Sequence, residues 1–125
     1  MDKTTLMPFV AYEQLPQQAR KFISENFPRW NFVRATLDEE GEYDVFFGNG
    51  NKIGFSGGND WKEIGCISGY IPLKILPDAI SEFINDNFPA VSVVEASRGG
   101  SGYGLTLNNE LKLQFNRNNR LVWLD

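Results

Sequence analysis

Residues 15–28 return, nearly in register, 61 positions further along the chain. Leu15-Pro16 becomes Leu76-Pro77, and Phe22-Ile23-Ser24-Glu25-Asn26-Phe27-Pro28 becomes Phe83-Ile84-Asn85-Asp86-Asn87-Phe88-Pro89. Val33 and Ala35 match Val94 and Ala96 at the same spacing. After a one-residue deletion the spacing is 60, pairing Tyr43 with Tyr103, Asn49 with Asn109, Lys52 with Lys112 and Phe55 with Phe115. A register this long is the strongest constraint in the chain, because any local structure proposed for one half must also suit the other. The chain is therefore read as a single domain, residues 1–125, made of two copies of one unit, about 9–67 and 70–125.

Each copy is expected to open with a helix, near 16–27 and 77–88. Leu15, Ala19, Phe22, Ile23 and Asn26 fall at helical spacing, as do Leu76, Ile80, Phe83, Ile84 and Asn87, so each helix carries one apolar stripe. Pro16 and Pro77 suit the first helical position, where a missing N–H costs nothing. Pro28 and Pro89 disfavour the α conformation at Phe27 and Phe88, which ends both helices.

Four strands are expected after each helix: near 31–37, 43–48, 51–56 and 60–66, then near 91–97, 103–108, 111–116 and 120–124. Along Tyr43–Phe47 the residues alternate, with Tyr43, Val45 and Phe47 on one side and Asp44 and Phe46 on the other. Asn49-Gly50 signals a tight hairpin turn. Asn108-Asn109 and Asn118-Asn119 can act alike, because Asn tolerates positive φ. Short links imply antiparallel hairpins. The expected class is α+β, a tandem repeat in which each copy lays one helix on a four-stranded antiparallel meander. Phe22, Ile23, Phe83, Ile84, Tyr43, Val45, Phe55, Leu105, Leu113 and Phe115 should form the core. The face opposite each helix has no segment to cover it.

Bulk composition narrows the function. At 125 residues the chain can bury roughly two thirds of its unfolded surface, so it needs neither disulfide nor metal to fold. A net charge of −4 argues against nucleic acid, which selects basic grooves, and against an anionic membrane surface. No apolar run reaches the roughly eighteen residues of a membrane span. Met1-Asp2-Lys3-Thr4-Thr5-Leu6 is not the start of a signal peptide, so the chain is read as cytoplasmic or as a mature form behind a start Met. Asn-x-Ser/Thr acceptor sites are absent.

The order Leu-Pro, Phe-Ile, Asn-Phe-Pro, Tyr-x-Val, then Phe with a Gly/Asn turn and Trp61, resembles the PepSY-like, beta-lactamase-inhibitor-like (BLIP-like) family of small secreted bacterial proteins. The resemblance runs through both copies. It implies a helix plus four strands per repeat and a periplasmic or extracellular location, and it brings no catalytic residues. Three positions depart from the pattern: Ser56 follows Phe55 and Asn116 follows Phe115 where an acidic residue is expected, and Trp61 becomes Leu121 in the second copy.

Catalytic chemistry finds little to work with. The chain holds one cysteine, Cys66, and no histidine, so a Cys-His nucleophile is excluded and Cys66 is read as a small hydrophobe. No metal site is expected. Asp38-Glu39-Glu40 could hold a weak Ca²⁺, against its reading as a solvated hairpin loop closed by Gly41. Asp44, Glu63 and Glu95 sit on strands, and a carboxylate pair would need one of them buried. Gly48-Asn49-Gly50-Asn51-Lys52 and Gly99-Gly100-Ser101-Gly102 lead into strands rather than helices, so they are turns and not phosphate loops. Trp30, Trp61, Trp123, Tyr12, Tyr70 and Tyr103 are mostly core, with Trp61 and Phe46 the candidates for exposure.

The expectation is a binding protein and not an enzyme, with no cofactor. Its partner is a protein or peptide, with no nucleic acid and no membrane insertion, and the chain is a monomer or weak dimer. A protein inhibitor is one version. The binding residues are Asp44, Phe46, Lys52, Lys62 and Trp61, with Thr106, Lys112 and Gln114 joining from the second copy, because mixed charge around an aromatic ring suits a protein surface. The alternative is a small-molecule or glycan site in the cleft between repeats.

Overall fold

The computed structural model describes residues 9–125, so the stretch Met1–Leu6 read above for a leader lies outside the described residues. There are two helices, α1 (Gln17–Asn26) and α2 (Asp78–Asn87). The strands are β1 (Phe9–Val10), β2 (Phe32–Leu37), β3 (Tyr43–Phe47), β4 (Lys52–Phe55), β5 (Trp61–Gly65), β6 (Val93–Gly99), β7 (Gly102–Leu107), β8 (Lys112–Phe115) and β9 (Leu121–Leu124). They follow sequence order in one nine-stranded antiparallel sheet. The fold is α+β.

Two compact units divide the chain, Met1–Lys62 and Glu63–Asp125. The division falls inside β5, five residues before the end expected for the first copy, because Glu63, Ile64 and Gly65 pair with Ser97, Ala96 and Glu95 of β6. In the first unit α1 covers a face of β2–β4 made by Ala35, Val45, Ile53 and Phe55, all fully buried, as is Ala19 of the helix itself. Phe22 meets the Phe55 ring edge-on at 5.9 Å between centroids. In the second unit α2 covers Ala96, Leu105, Leu113 and Phe115, with Phe83 edge-on to Phe115 at 5.6 Å.

Local geometry recurs at the matched positions. Val45 pairs with Ile53 and Leu105 with Leu113; Tyr43 pairs with Phe55 and Tyr103 with Phe115. Asn26 Nδ2 donates to the Phe22 carbonyl, and Asn87 Nδ2 to the Phe83 carbonyl, each at 2.9 Å. The β2–β3 register shifts between Phe32 and Arg34, and the β6–β7 register between Val93 and Glu95.

Several expectations are corrected. Pro16 and Pro77 are N-caps and not first helical residues: their ψ angles of 145° and 147° are extended, so the helix starts one residue later. Pro16 still serves the helix through its carbonyl, which accepts from Arg20 N at 3.0 Å. Of the ten expected core residues, Phe22, Phe83 and Tyr43 are less completely buried than the other seven. Pairing also adds β1, whose Phe9 and Val10 lie opposite Thr36 and Ala35.

The turns differ in one respect. Gly50 (φ 88°) closes the β3–β4 hairpin, and its counterpart between β7 and β8 is Glu110 (φ 74°), not Asn108 or Asn109. The left-handed residue is set by position, since Gly50 N donates to the Phe47 carbonyl and Glu110 N to the Leu107 carbonyl. Asn119 (φ 63°) does take the expected role in the β8–β9 turn. A glutamate in this conformation is strained where glycine is not. Glu110→Gly is therefore expected to raise stability by about 0.5–1 kcal/mol in urea melts, whereas Glu110→Val should lower it.

Candidate functional site

Alternation along β3 sends Val45 and Phe47 under α1 and turns Asp44 and Phe46 to the opposite face. Register then assembles a cluster on that face. Phe46 stands opposite Lys52 of β4 and Arg34 of β2, while Asp44 stands opposite Gly54 and Thr36. The Arg34 guanidinium lies 4.5 Å from the Phe46 ring centroid and 5.8 Å from that of Phe9. Phe9, on the edge strand, is 73% exposed. Lys52 Nζ lies 3.9 Å from Asp44 Oδ1, and Lys62 Nζ donates to Glu42 Oε1 at 2.6 Å.

These polar contacts do little for the fold. Both ion pairs are solvent-accessible, and pairs of that kind contribute about 0–1 kcal/mol. The cation–π contacts are worth about 0.5–1 kcal/mol at an exposed site. Their effect is positional: Arg34 holds the Phe46 ring and bridges it to Phe9, giving an apolar patch framed by cations and a carboxylate.

Of the residues expected here, Asp44, Phe46 and Lys52 come together, and Lys62 engages Glu42 next to them in sequence. Trp61 does not belong. It is 4% exposed and stacks against Phe22 of α1 at 6.4 Å, so its expected exposure is corrected: it is a core residue. Phe9 and Arg34 were missed. Arg34 carried a weak signal, standing one residue from Ala35 and so on the opposite face, but Phe9 is placed only by the distant pairing of β1 with β2. In the second unit Thr106 pairs with Lys112, and Thr106 stands where Phe46 does and supplies no ring. Gln114 lies opposite Trp123, which is 51% exposed.

Other chemistry is limited. Asp38, Glu40 and Glu42 each place a carboxylate oxygen within 4.8 Å of the others. Glu42 thus takes the place that sequence assigned to Glu39. Asp38 Oδ1 already accepts from the backbone N–H of Glu40 at 2.8 Å and of Glu42 at 2.9 Å, which makes this the loop between β2 and β3, with Gly41 at φ 82°. Asp44 faces Lys52, and Glu63 and Glu95 are exposed. Gly100 and Ser101 form the β6–β7 turn, and Gly102 (φ 126°) leaves no room for a Cβ against the Phe115 carbonyl. Among the described residues no helix is long and apolar enough to cross a membrane. Burial pushes the Cys66 thiol up to about 11.

A sequence model of the family described as beta-lactamase-inhibitor-like, PepSY-like matches residues 41–122. Among solved structures, two proteins of Bacteroides vulgatus provisionally described as periplasmic are similar. One has a TM-score of 0.88 and 28% identity, over 94% of this chain and 95% of its own. The other has 0.81 and 27%, over 94% and 99%. A Bacteroides thetaiotaomicron protein provisionally described as calcium-regulated and periplasmic has a TM-score of 0.87 and 29% identity, over 94% of each chain. No curated protein matches the chain.

The raised thiol pKa has a measurable sign. Only the thiolate is nucleophilic, and a free cysteine ionises near 8.5. At pH 8 iodoacetamide should modify Cys66 about 10²-fold more slowly than a free cysteine. The rate should climb until the pH passes about 11. A rate plateau reached below pH 9 would contradict this assignment.

Proposed function

The chain belongs to the PepSY-like, beta-lactamase-inhibitor-like family, and from that membership we propose that it is a non-catalytic binding module that grips a protein or peptide with the open face of its first unit. The contact residues are Asp44, Phe46, Lys52 and Lys62, joined by Phe9 and Arg34. One observation carries the reading: two aromatic rings, Phe9 and Phe46, are held on an uncovered face by a shared arginine. Phe9 is exposed and Phe46 partly so, and aromatic rings framed by charge are what protein interfaces use as anchors. The rest of the proposal is the frame around this patch. The chain is one domain built from two copies of a helix–meander unit, which the matching caps, pairings and bulges support. It acts as a monomer or weak dimer in the periplasm or outside the cell, as the descriptions of its structural relatives suggest for them. Inhibition of an envelope enzyme is the version that the family description favours.

The test starts with a photo-crosslinking residue at position 46, irradiated in the native envelope, beside a control at the exposed Glu82 of α2. A protein should crosslink at position 46 and not at 82. Against that partner, Phe46→Ala and Lys52→Glu should each weaken binding about tenfold or more, the usual effect of losing an anchor, with melting temperature little changed. Unchanged affinity in both variants would remove this face.

A second reading is calcium control of the module. It is favoured by the carboxylate trio Asp38, Glu40 and Glu42 together with the description of the B. thetaiotaomicron relative. The fit is incomplete, since Ca²⁺ takes six to eight oxygens and Glu42 is engaged by Lys62. The ion would have to displace that lysine. On this reading 1 mM CaCl₂ raises the melting temperature by about 1–6 °C, for an affinity like that of extracellular calcium modules, and does not do so in Glu42→Gln. No rise in the parent protein discards it.

A further inference from the structure

The geometry points to a second binding site, on the helix side of the first unit, that takes an uncharged small molecule carrying about two rings. The site is an open groove of about 360 Å³ at the C-terminal end of α1. Its walls are aromatic: Tyr12, Phe27, Trp30, Phe32 and Phe47. Trp30 stacks on Phe27 at 4.1 Å and meets Phe47 edge-on at 5.2 Å. Tyr12 meets Phe32 edge-on at 5.5 Å, and its hydroxyl donates to the Arg20 carbonyl at 3.4 Å. The rings thus brace one another before any ligand arrives, which keeps the ordering cost of binding low.

Size and charge define the ligand. A closed cavity of about 150 Å³ takes one benzene, and a groove of this volume, open on one side, can seat a flat molecule of about two rings against its aromatic wall. No Asp, Glu, Lys or Arg lines it, so a charged ligand finds no partner there and the parts seated against the rings lose hydration uncompensated. Polar groups stand only at the mouth. Ser24, exposed on α1, donates its hydroxyl to the Lys21 carbonyl at 3.1 Å and keeps its lone pairs for an incoming donor. Asn31, also exposed, can exchange hydrogen bonds with a polar substituent.

Comparison within the chain separates a ligand site from ordinary core. At the matched positions Tyr12, Trp30, Phe32 and Phe47 become Leu73, Val91, Val93 and Leu107, while Ile23, Phe27 and Pro28 are kept as Ile84, Phe88 and Pro89. Aliphatic residues satisfy the packing there, with Val93 and Leu107 each 1% exposed. The frame of the helix end is common to both units, and the aromatic walls belong to one. Of the four added rings Phe47 is core, whereas Tyr12, Trp30 and Phe32 stay part-exposed around the groove, where a flat ligand can stack on them.

The probe is 6-propionyl-2-dimethylaminonaphthalene, an uncharged two-ring fluorophore whose emission shifts to the blue in apolar surroundings. Titrated with the full chain, it should bind saturably, one per chain, with a blue shift. Ser24→Trp, which fills the mouth from an exposed helix position, should weaken binding at least about tenfold, equivalent to roughly 1.4 kcal/mol. Asn85→Trp, the matched change on α2, and Phe46→Ala, on the opposite face, should leave it unchanged. The anionic 1-anilinonaphthalene-8-sulfonate should bind more weakly than the neutral probe. Lack of saturable binding overturns the site, as does equal binding in Ser24→Trp and the parent, or equal loss in Asn85→Trp. Tighter binding of the anion overturns its assigned ligand class.

Discussion

On each helix one phenylalanine ring meets a phenylalanine of the sheet edge-on, and the placement of the remaining side chains follows from those two contacts. Phe22 against Phe55 and Phe83 against Phe115 lie at 88° and 82° between ring planes. Edge-to-face pairs of this kind add about 0.5–1.5 kcal/mol beyond the area they bury. Their larger role is to choose a side. Once Phe55 and Phe115 are under a helix, a period of two decides the orientation of their neighbours, and a slip of one residue would expose the core and bury the charges. The register shifts between Phe32 and Arg34, and between Val93 and Glu95, serve the same end. They let Phe32 and Ala35, three residues apart, both pair with helix-side residues of β3, as a bulge can and regular alternation cannot.

Much of this was legible because it is local. Both helix stops could be read from Asn-Phe-Pro, and the hairpins from alternation and Asn-Gly. What escaped depends on distant partners. Phe9-Val10 is too short to show a period, so β1 exists only through its pairing with β2. Trp61 seemed free because its strand lacks an alternating pattern: Trp61 and Ile64, three residues apart, are both buried. Its burial is decided by Phe22, thirty-nine positions earlier. The open face was half legible. Asp44, Phe46 and Lys52 follow from parity on neighbouring strands, whereas the Arg34 bridge to Phe9 needs three strands in place. The aromatic groove draws its walls from the segment before α1, the loop after it and two strands, and no single window of sequence contains it.

The two units have the same frame and differ in what it carries. On the open face Phe46 is answered by Thr106, and on the helix side Trp30 is answered by Val91. At these matched positions the aromatic residue belongs to the first unit, on each of its faces. In the second unit the exposed rings are Tyr70 and Trp123, and neither stands at a position matched to Phe46 or Trp30.

Strand order matches chain order throughout the sheet, and this has a consequence for how quickly the protein finds its structure. No strand waits for a partner from the far end of the chain. Most pairings close over a turn of a few residues, and closing such a loop takes well under a microsecond. Two connections are long, β1–β2 and β5–β6, because α1 lies within the first and α2 within the second. Sheets whose pairings are mostly local have low contact order and pass through few slow closures. Hairpins can accordingly form as each stretch of chain becomes available, and the search is interrupted chiefly at those two connections, where a helix must settle before the sheet can continue.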